Sequence, residues 1–541
     1  MAPEYDLILR NGIIYDGNGG PPYQGDIALK GQKIAALGKL EIKQARQVLD
    51  LHGLAVSPGF INVMSWANIS LIVDGKSQSD IRQGVTLEIL GEGWSEGPLS
   101  EQMKKDRLAR QADIKYDIPW NTLGEYLDYI VARGISTNVA SYLGAATLRI
   151  NAIGYDNRPP TTKEMEFMRR LVRQTMEEGA LGISTALIYP PGSYAKTEEL
   201  IELAKVVAEY GGIYISHIRN EGNSLLSALD ELIRIAREAK IPAEIYHLKA
   251  TGRKNWDKMQ LAIDRVNAAR AEGLQITADM YTYPASATGL GATMPDWVQE
   301  GGHDAWMRRL KDPEIRTRLY HEMTTETDEW ESSLLGAGGA QNIILRSFKS
   351  EHLKPLIGKT LAEVAQLRGS DPVYTIMDLI VEDDFNVGAV YFTMTEDNLK
   401  KQLLQPWVCI GSDSESQAPE GVFLKSGVHP RAYGTFARLL AKYVREDKVL
   451  PLEEAIRRVT SFPAAVRKIE LRGQLKPGFY ADIAVFDPNR VQDHATFAQP
   501  HQYSTGMVHV FVNGEQVLKD GEHTGALPGM AVRGPGYRRR K

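Results

Sequence analysis

GGIYISHIRNEGNSLLSALDELIRIAREAKIPAEIYHLKATG, residues 211–252, is the stretch on which the reading of the fold turns. It opens on a short apolar run at 212–216 and closes on another at 243–246. Between them Leu225, Leu229, Leu232, Ile233 and Ala236 recur at helical spacing. Two short apolar runs bounded by turn residues and joined by an amphipathic helix are the pattern of parallel strands with a crossover helix. The same unit repeats outward in both directions. Strand-like runs lie at 54–63, 85–90, 137–143, 181–187, 212–216, 243–246, 275–279 and 407–411, with amphipathic stretches at 161–178, 197–210, 224–240 and 255–272. Eight strands in regular alternation predict an α/β fold, a (β/α)8 TIM-like barrel. A doubly wound parallel sheet is the competing architecture, and the regular count of eight favours closure.

Two regions depart from the alternation. Residues 1–57 carry strand-like runs with turns at Asn11-Gly12 and Asn18-Gly19-Gly20, and so does the chain from 469 onward, at 483–486 and 508–512. These predict one small β-sandwich domain built from both chain ends, 1–57 and 469–541, around a barrel at 58–468. Residues 284–406, after the seventh strand, are too long for a loop and read as an inserted lid over the barrel mouth.

The chain has 541 residues, 43% hydrophobic and 24% charged, which excludes disordered and fibrous classes and suits one large globular unit with attachments. No apolar run approaches the roughly 20 residues needed to span a bilayer. The opening MAPEYDLILRNG carries acids where a signal peptide has basic and apolar regions. Cytoplasmic placement is expected, or periplasmic or secreted if a signal was removed. Cys409 stands alone, so no intramolecular disulfide forms. A formal charge of -5 supplies no basic field for nucleic acid, and the tail Arg538 to Lys541 reads as a solvated end. The expected partner is a small molecule, with no nucleic acid and no membrane, and a homo-oligomer is left open.

Barrel enzymes carry their working groups just past the strand C-termini. Glu92 follows the second strand in GEGW, His217 ends the fifth in YISHIRNEG, His247 ends the sixth in EIYHLKATG and Asp413 ends the eighth in CIGSDSES. Either histidine alone reads more readily as a buried packing imidazole, and each carboxylate also has a reading as a helix cap or loop ion pair. Together, imidazole and carboxylate at successive strand ends form a ligand set for Zn2+, three protein ligands leaving a position open for chemistry.

The motifs AVSPGFIN (55–62), GVT (84–86), LGIST (181–185), YPP (189–191), SHIR (216–219), HLK (247–249), GSD (411–413) and HPRAYGT (429–435), in this order, resemble the D-aminoacylase branch of the amidohydrolase superfamily. GQLKPGFYAD (473–482) resembles the returning β-domain of amidohydrolases generally. The resemblance covers nearly the whole chain and implies metal-dependent hydrolysis of an N-acyl amino acid, D-configured in that branch. Departures are equally informative. Where the superfamily carries His-x-His at the end of strand one, this chain has Met64 and Trp66; where the branch places a cysteine ligand, it has Glu92; and Ala145 stands in place of a histidine after strand three. Neither Met64 nor Trp66 suits a hard metal there, so one metal position is expected to be lost.

The mechanism expected from the resemblance has one Zn2+ held by Glu92, His217 and His247, polarising an amide carbonyl and activating a water, with Asp413 moving the proton. Lys249 and Arg431 match the branch's contacts to a substrate carboxylate, and also read as inter-loop ion pairs. Tyr189 and Tyr283 are candidate pocket walls, and Met64 and Trp66 would make the mouth of strand one apolar. Two other readings stay open: hydrolysis of another amide, lactam or ester on the same fold, and ligand binding without turnover, motivated by the missing His-x-His.

Overall fold

The computed structural model describes residues 4–538. The tail residues Arg539, Arg540 and Lys541 and the opening three residues lie outside the described residues. Arg538 is exposed and pairs with Glu177 at 2.8 Å. Five strands open the chain: β1 (Tyr5–Ile14), β2 (Tyr23–Lys30), β3 (Lys33–Gly38), β4 (Ala45–Asp50) and β5 (Ala55–Pro58). The central strands are β6 (Phe60–Asn62), β7 (Val85–Leu90), β8 (Asn138–Ser141), β9 (Leu143–Gly144), β10 (Gly182–Ala186), β11 (Ile213–His217), β12 (Ala243–Ile245) and β13 (Ile276–Met280). Then come β14 (Ser286–Gly289), β15 (Ile343–Ser347), β16 (Gly388–Tyr391), β17 (Val408–Ile410), β18 (Ile483–Phe486), β19 (Met507–Val512), β20 (Glu515–Lys519) and β21 (Glu522–His523).

The central strands form two parallel ladders, β6-β7-β8 and β9-β10-β11-β12-β13-β17. Their ends meet on both sides. Tyr142 alone separates β8 from β9, and a parallel bridge joins Ser65 to Ser414, with Trp66 N–H donating to Ser414 O at 2.9 Å. Helices Thr162–Glu177, Thr197–Glu209, Leu225–Ala239 and Lys258–Ala271 connect successive strands. Leu225–Ala239 shows why: it buries Leu225, Leu229, Leu232, Ile233 and Ala236 along one face, the stripe that an amphipathic helix lays on a sheet. Thr161 opens the first of these helices in a reciprocal cap with Glu164.

Strands from both chain ends share one sheet, in the order β21-β20-β19-β18-β5-β1-β2-β3 with β4 beside β1. The run read as a single first strand, 54–63, is therefore divided. β5 pairs antiparallel with β18, whereas β6 pairs with β7. The division falls at Gly59, whose N–H donates to Asp482 O and where a Cβ would sit 2.1 Å from Thr86 Oγ1. The 284–406 segment is not only helical: β14, β16 and β15 form an antiparallel sheet. Around it lies a separate apolar core that includes Leu310, Leu319, Leu345, Ile376 and Leu379.

On β12, three residues before His247, Glu244 forms an ion pair with Arg467, both side chains fully buried. Among the described residues no helix is long and apolar enough to cross a membrane.

Candidate metal centre

Glu92 is aimed by the glycines on either side of it. Gly91 and Gly93 have φ of 97° and 66°. A Cβ on Gly91 would lie 2.6 Å from Tyr142 O, and one on Gly93 would lie 2.5 Å from Ala186 Cβ. Only glycine fits both positions, so the chain leaves β7 in a sharp turn that presents the Glu92 side chain. His217 is the last residue of β11, and His247 lies just past β12. His247 and Asp413 hold positive φ values of 33° and 50°. Such conformations persist in non-glycine residues when neighbours fix them. The His247 N–H donates to Asp279 Oδ1 at 2.8 Å, and the Asp413 N–H to Met64 O at 2.9 Å.

These turns bring three side chains to one point. Glu92 Oε1 lies 3.1 Å from His217 Nδ1 and 3.1 Å from His247 Nε2. The two rings stand 4.4 Å apart at 85°. One donor atom from each of the three residues lies within 4.8 Å of the other two, and all three residues are buried. Glu221 closes the site from behind, its oxygens 3.0 Å from His247 Nδ1 and 3.6 Å from His217 Nε2. His217 Nε2 is buried with no hydrogen-bond partner among the described residues. Lys249 Nζ donates to Glu221 at 2.8 and 3.0 Å. A carboxylate behind metal-binding imidazoles fixes their tautomer and orientation. The donor set, two imidazoles and one carboxylate with an open side toward a cavity, fits a divalent transition ion.

The electrostatics record how tightly these groups are clustered. Burial acts to raise the Glu92 carboxyl, but hydrogen bonds from His217 and His247 outweigh it and hold it down at about 2. Glu221 is likewise held far below the usual range, where burial is overcome by His217, Lys249 and His247. Burial and Lys249 oppose charge on His247, yet Glu221 and Glu92 push it up to about 10. Burial raises Asp413, with Arg431 pulling the other way.

A cavity of about 300 Å3 opens onto this cluster. Eight of the ten residues singled out from sequence line it: Trp66, Glu92, Tyr189, His217, His247, Lys249, Asp413 and Arg431. Trp66 does more than make the mouth apolar. Its indole N–H stands 3.1 Å from both Glu92 Oε2 and Asp413 Oδ1, so it bridges the two carboxylates. Arg431 Nη1 lies 2.8 Å from Asp413 Oδ2, while its buried Nε has no partner among the described residues. Tyr189 packs on His217 and donates to Thr288 Oγ1 at 2.8 Å.

Met64 and Tyr283 lie elsewhere. Met64 is buried in the apolar core with Ile61, Val63, Leu87 and Ile89. Tyr283 is buried under the helix Arg431–Arg438, with its hydroxyl donating to Asp493 at 3.3 Å. Residue 281 takes the wall position expected for 283: Tyr281 lines the cavity and stacks under the Arg431 guanidinium at 4.5 Å.

Sequence reasoning missed Glu221, although it stands four residues after His217 in the quoted HIRNEG. It also missed Glu331, which the 284–406 segment contributes to the cavity wall. Burial pushes Glu331 up to about 7, with the Glu221 charge adding to the effect. Nothing local in the sequence marks it.

The amidohydrolase family model matches residues 47–518. A D-aminoacylase of Alcaligenes xylosoxydans xylosoxydans is 32% identical over 98% of this chain and 97% of its own length. An N-acyl-D-glutamate deacylase of the same organism is 31% identical over 95% and 94%. Among solved structures, the N-acyl-D-glutamate deacylase of Bordetella bronchiseptica, complexed with zinc and a phosphonate mimic of the tetrahedral intermediate, superposes with a TM-score of 0.80. It is 30% identical, covering 98% of this chain and 100% of that one.

Proposed function

This chain belongs to the amidohydrolase family, and from that premise we propose that it is a metal-dependent deacylase of N-acyl amino acids. The observation that carries the reading is the convergence of Glu92, His217 and His247 on one point in a cavity that also holds Asp413 and Arg431. The relatives named as deacylases of D-amino acids support the substrate class. The architecture that goes with it is a closed (β/α)8 barrel at 58–468 with the 284–406 segment over its mouth. The terminal sheet, from 1–57 and 469–541, folds as a small β-sandwich.

Glu92, His217 and His247 would hold a divalent ion, zinc in this reading and one per chain, which would supply Lewis acidity to polarise the amide carbonyl and acidify water. The chain's own groups do the rest. Lys249 and Arg431 receive the substrate carboxylate, for which the buried, unpartnered Arg431 Nε is a free donor. Asp413 takes a proton from the attacking water and delivers it to the departing amine nitrogen, so that the C–N bond breaks with water consumed and no net proton change at Asp413. Trp66, hydrogen-bonded to Asp413 and Glu92, holds the two carboxylates apart in their separate tasks. Trp94 and Tyr189 wall the cavity and limit water.

The test is a panel of N-acetyl D- and L-amino acids, neutral and acidic, with dipeptides and lactams as controls, assayed on zinc-loaded and chelator-stripped protein. Zinc-dependent release of free amino acid from N-acetyl substrates, with about one tight ion per chain, is expected. Zinc-dependent turnover confined to lactams or dipeptides, or ligand affinity with no turnover on any metal, overturns the reading.

A further inference from the structure

A second cavity, of about 640 Å3, adjoins the first and is more than twice its size. The two share Trp66, Trp94, Arg346 and Glu415 as walls. Beyond that shared wall the larger cavity is lined by Met103, Ile114, Tyr116, Ile150, Phe348 and Phe423 among others. Four acids, Glu96, Asp106, Asp113 and Glu415, and four bases, Arg107, Arg110, Arg346 and Lys349, stand around it, so its charge balances. Several are already paired: Arg107 with Glu96 at 2.6 Å, Lys349 with Asp384 at 2.9 Å, and Asp113 with Lys354 at 2.8 Å. An apolar space ringed by neutralised charge favours an uncharged, bulky group. Arg346 Nε and Asp113 Oδ2 are buried there with no hydrogen-bond partner among the described residues. Arg346 lies in the shared wall, where a polar link of a substrate would pass.

The position of Trp66 decides which part of the substrate reaches that space. Its indole N–H is held by Glu92 and Asp413, so its ring stands beside the ligand carboxylate and faces both cavities. Lys249, Arg431 and Tyr281 line the smaller cavity alone. With the substrate carboxylate at Arg431 and the scissile carbonyl at the donor cluster, the group on the far side of the carbonyl passes Trp66.

We infer that this chain is built for N-acyl amino acids with a large apolar acyl group, aromatic or long-chain, that fills the second cavity. The inference rests on the deacylase reading above and narrows its substrate class. Each methylene moved from water into such a cavity strengthens binding by up to about fourfold, so chain length should register clearly.

The experiment compares N-acetyl, N-phenylacetyl and N-decanoyl derivatives of one amino acid on the zinc-loaded full chain. That amino acid is the best from the panel, or D-alanine if none turns over. Both kcat/KM and calorimetric Kd are read. The N-decanoyl and N-phenylacetyl substrates should exceed N-acetyl by at least tenfold in kcat/KM, or in affinity where turnover is absent. Val422→Trp and Ile114→Trp, which each push an indole into the second cavity, should lower the decanoyl-to-acetyl ratio at least tenfold. Equal values across the acyl series, or a preference that tracks bulk on the amino-acid side chain instead, overturn the inference. So does a ratio that neither variant moves. Failure of every N-acyl substrate to turn over sinks the deacylase reading, and the affinity order then still decides what the second cavity holds.

Discussion

At the scale of single residues, the proposed reading separates groups that hold an ion from groups that move a proton, and substitutions distinguish them. His217→Ala and His247→Ala each remove a donor from a three-donor set, so tight zinc and turnover should be lost together while the fold survives. Metal analysis and circular dichroism check this, and normal metal content in either variant makes that histidine structural. Asp413→Asn keeps shape but loses the basic carboxylate, so zinc should stay while kcat falls by roughly 100- to 10,000-fold. If zinc leaves with Asp413→Asn but stays in Glu92→Ala, the two carboxylates have exchanged roles. Trp66→Phe keeps the ring but deletes the N–H that bridges Glu92 and Asp413. We expect a fall in kcat of roughly 10- to 150-fold with metal content unchanged, since a hydrogen bond to a charged group is worth about 1.5–3 kcal/mol; an unaltered kcat would reduce Trp66 to a wall. The positions of Glu92, His217, His247 and Asp413 were legible because strand ends can be counted from apolar runs. The indole bridge was not, because a tryptophan near a strand end carries no mark of the carboxylates it will meet.

At the scale of elements, alternation along the chain gave away the parallel strands and their helices, but not what happens where two sheets share a strand. The run at 54–63 looks continuous because Pro58 and Gly59 sit in an unbroken apolar stretch. Only the close approach of Thr86 and the hydrogen bond from Gly59 to Asp482 reveal the change of partner. The 284–406 segment hid β14, β15 and β16 for a similar reason: strands of four or five residues paired across about a hundred residues leave no local period. How this segment docks can be tested through Asp296, in its short turn Asp296–Gln299. Burial raises the Asp296 carboxyl to about 6, only partly offset by Ser193 and Arg219. A folded-state value raised above the ordinary 3.8 means that the contribution to stability is full below about pH 4 and is lost as pH rises through about 6. Asp296→Asn removes that dependence. The melting temperature of Asp296→Asn relative to the parent chain should therefore climb between pH 4 and pH 7, and a constant difference over that range means that the carboxyl is not buried against its neighbours as described.

At the scale of the whole molecule, the chain ends do more than complete the terminal sheet. After β21 the chain turns back and runs beside the N-terminal ends of the parallel strands, opposite the donor cluster. Val139 N–H donates to Met530 O at 3.0 Å and Val532 N–H to Val139 O at 2.7 Å. Gly534 N–H donates to Gly179 O at 2.8 Å, and Arg533 reaches Glu178 O at 2.9 Å. Glycine is required along this path: a Cβ on Gly529 would sit 2.1 Å from Thr137 O, and one on Gly534 would sit 2.2 Å from Ala180 O. Deleting residues 526–541 would uncover buried backbone groups around β8, and each buried group left without a partner costs about 1–3 kcal/mol. The truncated chain should therefore melt several degrees lower and exchange amide hydrogens faster around 135–141 and 177–181. The Glu92, His217 and His247 donors lie at the other ends of their strands, so zinc per folded chain should stay near the full-length value. Loss of zinc in step with stability would mean that the two ends of the parallel strands are coupled, and an unchanged melting temperature would mean that the returning segment rests on the surface without supporting it.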